Sequence, residues 1–292
     1  MILVFGSINI DVVVPVPRLP SPGETVLGGD YALLPGGKGA NQALAARRAG
    51  ASVMMAGAVG NDGFAALALE NLDRDGVDLA LVRRANRPTG CAAIIVGANG
   101  ENLIAVAPGA NREAAAAGVP DSVLNSETIL VCQMEVPPAE NWALIARARA
   151  AGARTVLNLA PAAPIDPDLF AGIDILVANA GEADALGADP AGLARRLHQA
   201  LIVTRGGDGS TAYLADGGRI DTPALAIEPI DTTGAGDTFV GVLAAALDRR
   251  LTLPAALREA SAAAALACLA RGAQSAMPDR AAIEAAAQRL PD

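Results

Sequence analysis

Residues 128–159 read TILVCQMEVPPAENWALIARARAAGARTVLNL, and the spacing of their apolar side chains changes character twice. The continuous apolar run at 128–132 suits a strand buried on both faces. Pro137 and Pro138 then open an Ala- and Leu-rich pattern of helical period over 138–151, Gly152 closes it, and 155–159 forms a second apolar run. A strand that returns after a helix pairs in parallel with the one before it, since antiparallel neighbours need only a short turn. The alternation extends in both directions. Upstream, 2–5, 53–59 and 79–82 read as strands, and 39–49 and 64–75 as helices. Downstream, 173–177 and 201–204 read as strands, 181–186 and 191–200 as helices, and 238–247, 254–269 and 279–290 as a helical end to the chain. The expected fold is α/β: a doubly wound, mostly parallel sheet with helices on both faces.

Two stretches depart from this rhythm. Residues 12–35 hold short Val-rich pieces among prolines and glycines, with alternation over 24–31, and 89–96 and 102–106 flank the turn Ala98-Asn99-Gly100. Both read as small antiparallel strands, the second with the Asn-Gly pair of a hairpin turn. Joined, they would make a small β-sheet lid over a site; separate, they would be two edge hairpins. There is no internal repeat or disordered linker, so one domain spanning 1–292 is expected, with a lid from insertions at about 12–35 and 88–107.

Composition narrows the chemistry. A chain of 292 residues that is 52% apolar can build a sizeable core, and with 2% aromatic residues that core is Ala, Val, Leu and Ile. No apolar run reaches the length of a membrane span and no basic segment precedes the apolar N-terminus, so neither a membrane nor a signal peptide is expected and the chain reads as cytoplasmic. Cys91, Cys132 and Cys268 are far apart and accompanied by one histidine, His198, which argues against structural zinc and a disulfide framework. The net charge of −9 argues against nucleic acid as a partner. All but one of the 22 basic residues are arginine. The exception, Lys38, marks either a place where only a compact ammonium fits or an exposed site where the choice is immaterial.

Lys38 lies in Gly36-Gly37-Lys38-Gly39-Ala40-Asn41, a glycine-rich turn entering a helix. The glycines admit a small polar ligand, and Lys38 and Asn41 supply donors for sugar hydroxyls. This is not a P-loop, because Ala32 and Gly39 stand where that motif needs Gly and Ser or Thr. Asp231-Thr232-Thr233-Gly234-Ala235-Gly236-Asp237 directly precedes the helix expected from Thr238. Free N–H groups there make an anion site, and Asp237 is placed to take a proton from a hydroxyl presented to that anion. The plain alternative is a capped helix with an acidic first turn. Gly6-Ser7-Ile8-Asn9-Ile10-Asp11 follows the first strand, at the sheet edge where open α/β folds bind ligands. Asn179-Ala180-Gly181-Glu182 could organise a water-ligated magnesium through Glu182, but on the motif alone a capping box is preferred. Gly207-Asp208-Gly209-Ser210-Thr211-Ala212 has the spacing of a dinucleotide fingerprint without the helix that should follow. His198, on a polar helix face, and Trp142 read as structural.

With both glycine-rich stretches present in this order and separation, the chain resembles the ribokinase-like carbohydrate kinases over essentially its whole length. The resemblance implies a doubly wound α/β domain whose small β-sheet is a lid, and a homodimer formed through that lid. It implies sugar contacts from Asn9, Ile10, Asp11, Gly37, Lys38, Gly39, Ala40, Asn41, Glu135 and Asp237, with Asp237 as general base and Gly234, Ala235 and Gly236 as the backbone anion hole. ATP would lie against Asn179, Thr204, Arg205, Gly206, Gly207, Asp208, Gly209, Gly236 and Ser261, with Mg2+ organised through water by Glu182. A monovalent cation, potassium, would be held by Asp231 and Thr233 and the backbone around Ala267, Ala270, Gly272 and Ala276. Two positions depart from the family's habit: Ala276 stands where a serine is common, and Ser261 where a histidine commonly lies against the adenine. The implied reaction is transfer of the γ-phosphoryl group of ATP to the primary 5-hydroxyl of D-ribose, giving D-ribose 5-phosphate. The alternatives are a nucleoside kinase or another pentose or hexose kinase of the same fold, for which the lid offers only Tyr31 as an aromatic platform, and a non-catalytic sugar-binding protein. The intact Asp237 argues against the last.

Overall fold

Ile2–Phe5 (β1) is buried along its whole length, and its side chains alternate between two apolar clusters: Ile2 and Val4 join one, Leu3 and Phe5 the other. The computed structural model, which describes residues 1–187 and 189–291, builds a layer of helices on each of those faces. The expected span 1–292 also includes Ala188 and Asp292, which lie outside the described residues. After β1 come Asn9–Val16 (β2), Ala32–Gly36 (β3), Lys38–Arg48 (α1), Val53–Val59 (β4), Gly63–Arg74 (α2), Asp78–Arg84 (β5), Gly90–Gly97 (β6) and Asn102–Ala107 (β7). The chain continues through Ile129–Cys132 (β8), Pro138–Ala150 (α3), Arg154–Asn158 (β9), Ile175–Asn179 (β10), Ala180–Ala185 (α4), Pro190–Ala194 (α5) and Ala200–Thr204 (β11). It ends with Ser210–Leu214 (β12), Arg219–Thr222 (β13), Ala235–Asp248 (α6), Leu253–Ala267 (α7) and Arg280–Ala287 (α8).

The large sheet has nine strands in the order β13-β12-β11-β10-β9-β8-β1-β4-β5. All neighbours from β11 to β5 are parallel, and β12 and β13 add an antiparallel edge. The chain builds from β1 toward β5, then returns and builds from β8 the other way. The carboxyl ends of β1, β8, β9 and β10 therefore open on the crevice at the reversal, where such sheets bind ligands. One face is covered by α1, α2, α6, α7 and α8 through Leu44, Leu72, Leu243, Leu257 and Ile283, the other by α3, α4 and α5 through Leu144, Ala183 and Leu193. Helices α1 and α6 touch closely. A Cβ at Gly241 would lie 2.5 Å from Gln42 O and 2.7 Å from Ala45 Cβ, so only glycine permits this approach. Asp237, one turn earlier on α6, is carried by the same contact toward the first turn of α1.

The second sheet has the order β3-β2-β6-β7. It is mixed rather than antiparallel, because β2 and β6 pair in parallel while β2–β3 and β6–β7 are antiparallel. Its first strand starts at Asn9, and the alternating stretch 24–31 forms no strand at all. Pro15 has no N–H to offer a ladder on that edge, and Glu24 is drawn into a local loop by Arg18 Nη1 (2.7 Å) and Ser21 N (3.0 Å). The helix expected over 191–200 stops at Ala194. Backbone N–H groups of His198, Gln199 and Ala200 donate instead to Ile173 O and Asp174 O, so docking on the sheet overrides helical propensity. His198 thus lies outside the helix, exposed, against Ala171 O and the Arg149 guanidinium. Among the described residues no helix is long and apolar enough to cross a membrane.

Candidate active site

Gly234, at φ 76°, turns the chain into α6, a conformation open to glycine and costly for other residues. The turn begins at Asp231, whose Oδ1 accepts from Thr233 N (2.9 Å) and Thr233 Oγ1 (2.6 Å). The helix starts at Ala235 rather than Thr238, and the Ala235 N–H donates to Thr232 O (3.2 Å). The expected run of three free N–H groups is therefore displaced: Gly234, Gly236 and Asp237 have N–H groups with no acceptor among the described residues. Together with the helix dipole they favour an anion.

Asp237 is only 7% exposed, and both of its oxygens are held by α1. Asn41 Nδ2 donates to Oδ2 and Gln42 Nε2 to Oδ1, each at 2.9 Å. Burial pushes its carboxyl up from the usual range; Lys38 and the two amides pull it back without cancelling the shift, and Glu135 adds to it. Burial pulls the Lys38 ammonium down, but Asp237, Glu135 and Glu182 outweigh it, and the net shift is upward. The chain's single lysine is therefore a charged group in a nest of carboxylates, with no exposed position to make its identity immaterial.

On the lid side, Asn9 and Asp11 share one face of β2. Asn9 Oδ1 accepts from Asn111 Nδ2 (2.6 Å), and Asn111 Oδ1 accepts from Ile8 N (2.9 Å). The Asp11 carboxyl is pushed up to about 6, first by burial and then by the charges of Glu135 and Asp237. Glu135 Oε2 accepts from Ser7 Oγ (2.5 Å) and Lys38 N (3.1 Å). It thereby closes the N-terminus of α1, whose own capping residue Gly37 has no side chain to do so. Gly39 N reaches Ser7 Oγ (3.3 Å) and Ala40 N reaches Ser7 O (2.9 Å), which fixes the glycine-rich turn against β1. Ile10 does not fit its expected role: it is wholly buried in the apolar core.

Beyond Asp237 lies a polar cavity of about 130 Å³ lined by Lys38, Asn179, Glu182, Gly234, Gly236 and Asp237. A larger one of about 320 Å³ adjoins it, with walls from Gly206, Gly207, Gly209, Phe239, Ser261 and Ala264. Thr204 and Gly236 line both, so one extended ligand can occupy the two. Arg205 and Asp208 line neither; the Arg205 guanidinium turns to Thr211 Oγ1 (2.7 Å). Ser261 Oγ donates to Pro223 O (2.6 Å). Asn179 and Glu182 form the full capping box, with both bonds at 2.8 Å, while Glu182 also faces the polar cavity.

Behind the anion turn, Asp231 Oδ2 accepts from Gly272 N (2.8 Å), which brings Asp231, Thr233 and Gly272 together. Burial opposes the Asp231 charge, but the Thr233 hydroxyl, the N–H groups of Gly272 and Thr233, and Arg271 hold its carboxyl below the usual range. Ala267 ends α7, and the carbonyls of Ala270 and Gly272 accept no hydrogen bond among the described residues. Ala276 offers no hydroxyl. This oxygen-only set, with one carboxylate, suits a weakly hydrated monovalent cation better than a transition metal, and the described residues hold no cluster of three or more His, Cys, Asp or Glu able to bind a metal.

Sequence reasoning missed a set of buried amides: Gln42, Asn111, Gln133, Asn158 and Gln274. One signal was available. Gln42 interrupts the Ala- and Leu-rich buried face of α1, and a polar side chain at a core position asks for a partner.

Residues 1–280 match the description pfkB family carbohydrate kinase. A ribokinase of Bacillus subtilis (strain 168) is 37% identical to this chain, covering 97% of it and 98% of the relative. Among solved structures, a ribokinase from Thermotoga maritima has a TM-score of 0.92 at 30% identity, with 99% of each chain covered. Arabidopsis thaliana ribokinase, solved complexed with ribose and ATP, has a TM-score of 0.89 at 31% identity, with 98% of each chain covered.

Proposed function

The chain belongs to the pfkB family of carbohydrate kinases, and on that premise we propose that it transfers the γ-phosphoryl group of ATP to the 5-hydroxyl of D-ribose, giving D-ribose 5-phosphate. The observation that carries this reading is the position of Asp237, whose gripped carboxylate stands between the polar cavity and the cluster of Asn9, Asp11, Lys38, Asn41 and Glu135. Asp11 and Asn41 recognise ring hydroxyls, and Asn9, locked by Asn111, adds a further polar contact. Asp237 aligns the 5-hydroxyl and receives its proton as the new O–P bond forms and the bond to the leaving ADP breaks. A carboxylate is a weak base toward a ground-state alcohol, so proton transfer comes late and most of the acceleration is alignment and charge stabilisation. The N–H groups of Gly234 and Gly236 stabilise charge on the transferring group. Nucleotide phosphates occupy the polar cavity and the base the larger one.

Glu182, facing the polar cavity, suits Mg2+ held through water, since that ion takes one or two carboxylates with substrate phosphates. Bound there, Mg2+ neutralises phosphate charge. Asp231 and Thr233, with the backbone carbonyls of Ala270 and Gly272, would hold a potassium ion and offset negative charge beside the anion turn. The small sheet acts as the lid of one kinase domain and excludes water. Its edge strand β7 exposes Leu103, Ile104 and Val106, an apolar edge that two copies can bury against each other. Three free cysteines accord with a cytoplasmic setting.

The test is a coupled ATP-consumption assay over ribose, other pentoses, fructose and nucleosides. Ribose is expected to give the highest kcat/KM; the highest value with a nucleoside would support the nucleoside-kinase alternative, and no turnover with any of them a binding protein. Tyr31, the lid's aromatic side chain, is 65% exposed, which disfavours it as a platform for a base. Asp11 adds a pH dependence. Its carboxyl, at about 6, accepts from sugar hydroxyls at both oxygens and more strongly when ionised, so the KM for ribose is expected to rise as pH falls from about 7.5 to about 5, and Asp11→Asn to flatten that rise. Because this folded-state value lies above the unfolded one, the folded protein binds the proton more tightly, and stability falls as pH rises from about 4 to about 6. Replacing Ile104 and Val106 together by lysine is expected to give a monomer in light scattering, with the parent protein a dimer.

A further inference from the structure

A carboxamide can present either its oxygen or its NH2, so something must decide which one Gln42 turns toward Asp237. The decision begins at Val177 O on β10, a backbone carbonyl that can only accept. Asn158 Nδ2 donates to it (3.2 Å), which turns Asn158 Oδ1 toward α1. Gln42 Nε2 donates to that oxygen (3.0 Å) and, with its second hydrogen, to Asp237 Oδ1 (2.9 Å). The remaining Gln42 Oε1 then needs a donor, and Gln133 Nε2 supplies it (2.8 Å). Reversing Gln42 would set its oxygen against two acceptors, Asn158 Oδ1 and Asp237 Oδ1, so those two fix its sense and Gln133 presents the N–H that Gln42 Oε1 then requires.

Holding Gln133 there is costly. Gln42 and Gln133 are both fully buried, and Gln133 Oε1 has no hydrogen-bond partner among the described residues. An apolar side chain of the same size would fill the space without stranding an acceptor. What Gln133 provides and a methionine would not is one N–H to Gln42. On the other oxygen of the base, Asn41 is fixed in the same manner, its Oδ1 accepting from Gln274 Nε2 (3.1 Å), whose Oε1 accepts from Asn71 Nδ2 (2.9 Å). A carboxylate held at one oxygen can still rotate about its Cβ–Cγ bond; held at both, it cannot.

We infer that Gln42 is a positioning residue that fixes the rotation of the Asp237 carboxylate for the sugar hydroxyl, and that Gln133 acts through Gln42 by holding its amide oxygen in place. This rests on Asp237 being the base. Gln42 and Gln133 lie behind the carboxylate, so their loss affects turnover rather than sugar binding.

The experiment compares Gln42→Met, Gln133→Met, the double variant and Asp237→Asn, with kcat and KM for ribose and ATP and the thermal midpoint of each. Gln42→Met is expected to lose about 10- to 100-fold in kcat, the scale of a hydrogen bond to a charged group, with KM for ribose within about twofold. Gln133→Met is expected to lose about 3- to 10-fold, and the double variant no more than Gln42→Met alone, since Gln133 then has nothing to act through. Full kcat in folded Gln42→Met, a loss confined to KM, or single losses that multiply in the double variant would each overturn the inference. If Gln42→Met does not fold, Gln133→Met decides: a kcat loss at constant KM supports the inference and an unchanged kcat overturns it. Near-normal turnover in Asp237→Asn removes the premise, whereas an inactive Asp237→Asn beside a fully active Gln42→Met removes only the inference.

Discussion

An Asp237→Asn variant is expected to turn over about 10³-fold more slowly than the parent, with the affinity for ribose within a few fold. The change is isosteric and leaves the lid, the glycine-rich turn and the polar cavity intact. It removes the acceptor of the hydroxyl proton. It also places an NH2 where Asn41 or Gln42 already donates, at 2.9 Å in either case. That clash costs about 1–3 kcal/mol, but removing a buried charge whose carboxyl is already pushed up by burial offsets it, so the thermal midpoint should move little. Steady-state kinetics and calorimetric titration with ribose separate the two effects. Undiminished kcat would exclude Asp237 as the base; lost ribose binding would make it a binding residue instead.

The second large effect is expected at the turn. In Gly234→Ala the new Cβ would lie 2.8 Å from Ala273 Cβ and 3.0 Å from Ala273 Cα, and the left-handed conformation itself costs about 1–2 kcal/mol for a residue with a side chain. The turn must move, and with it the N–H groups of Gly234 and Gly236. Losing one aligned donor to a transferring group costs about 10²- to 10³-fold in kcat, and that is the expected loss here. A second substitution, Ala273→Gly, relieves the 2.8 Å contact but not the 3.0 Å one, so it should restore activity only in part. Activity near the parent's in the single variant would show that the N–H groups at this turn do not act on the reaction.

Particular residues show how far the sequence could be read. The apolar runs at 2–5, 128–132 and 155–159 are strands because they have no polar face to offer water, and the helix between the last two follows from its period and its prolines. Lys38 and Asp237 stood out because lysine was otherwise absent and because an acid followed a glycine turn. Other features depended on contacts the chain makes only when folded. The segment 191–200 has helical propensity, yet N–H groups of 198–200 bond to Ile173 and Asp174, and no local pattern shows that. The pairing of β2 with β6 joins strands far apart in the chain, and its parallel sense is invisible in either. Ala235 could be counted among the free N–H groups until the turn closed on Thr232.

By itself, the sequence determined the alternation that makes a parallel sheet and the identity of the groups that face a ligand, since periodicity and residue chemistry are local properties. Only the tertiary structure decided how those groups are held. Asp237 is fixed by Asn41 and Gln42, which lie on a helix that only Gly241 lets close, and Gln42 in turn by Gln133 and Asn158 at the ends of two strands. Hydrogen-bond sense and close helix approach belong to pairs of distant residues, and folding alone brings those pairs together.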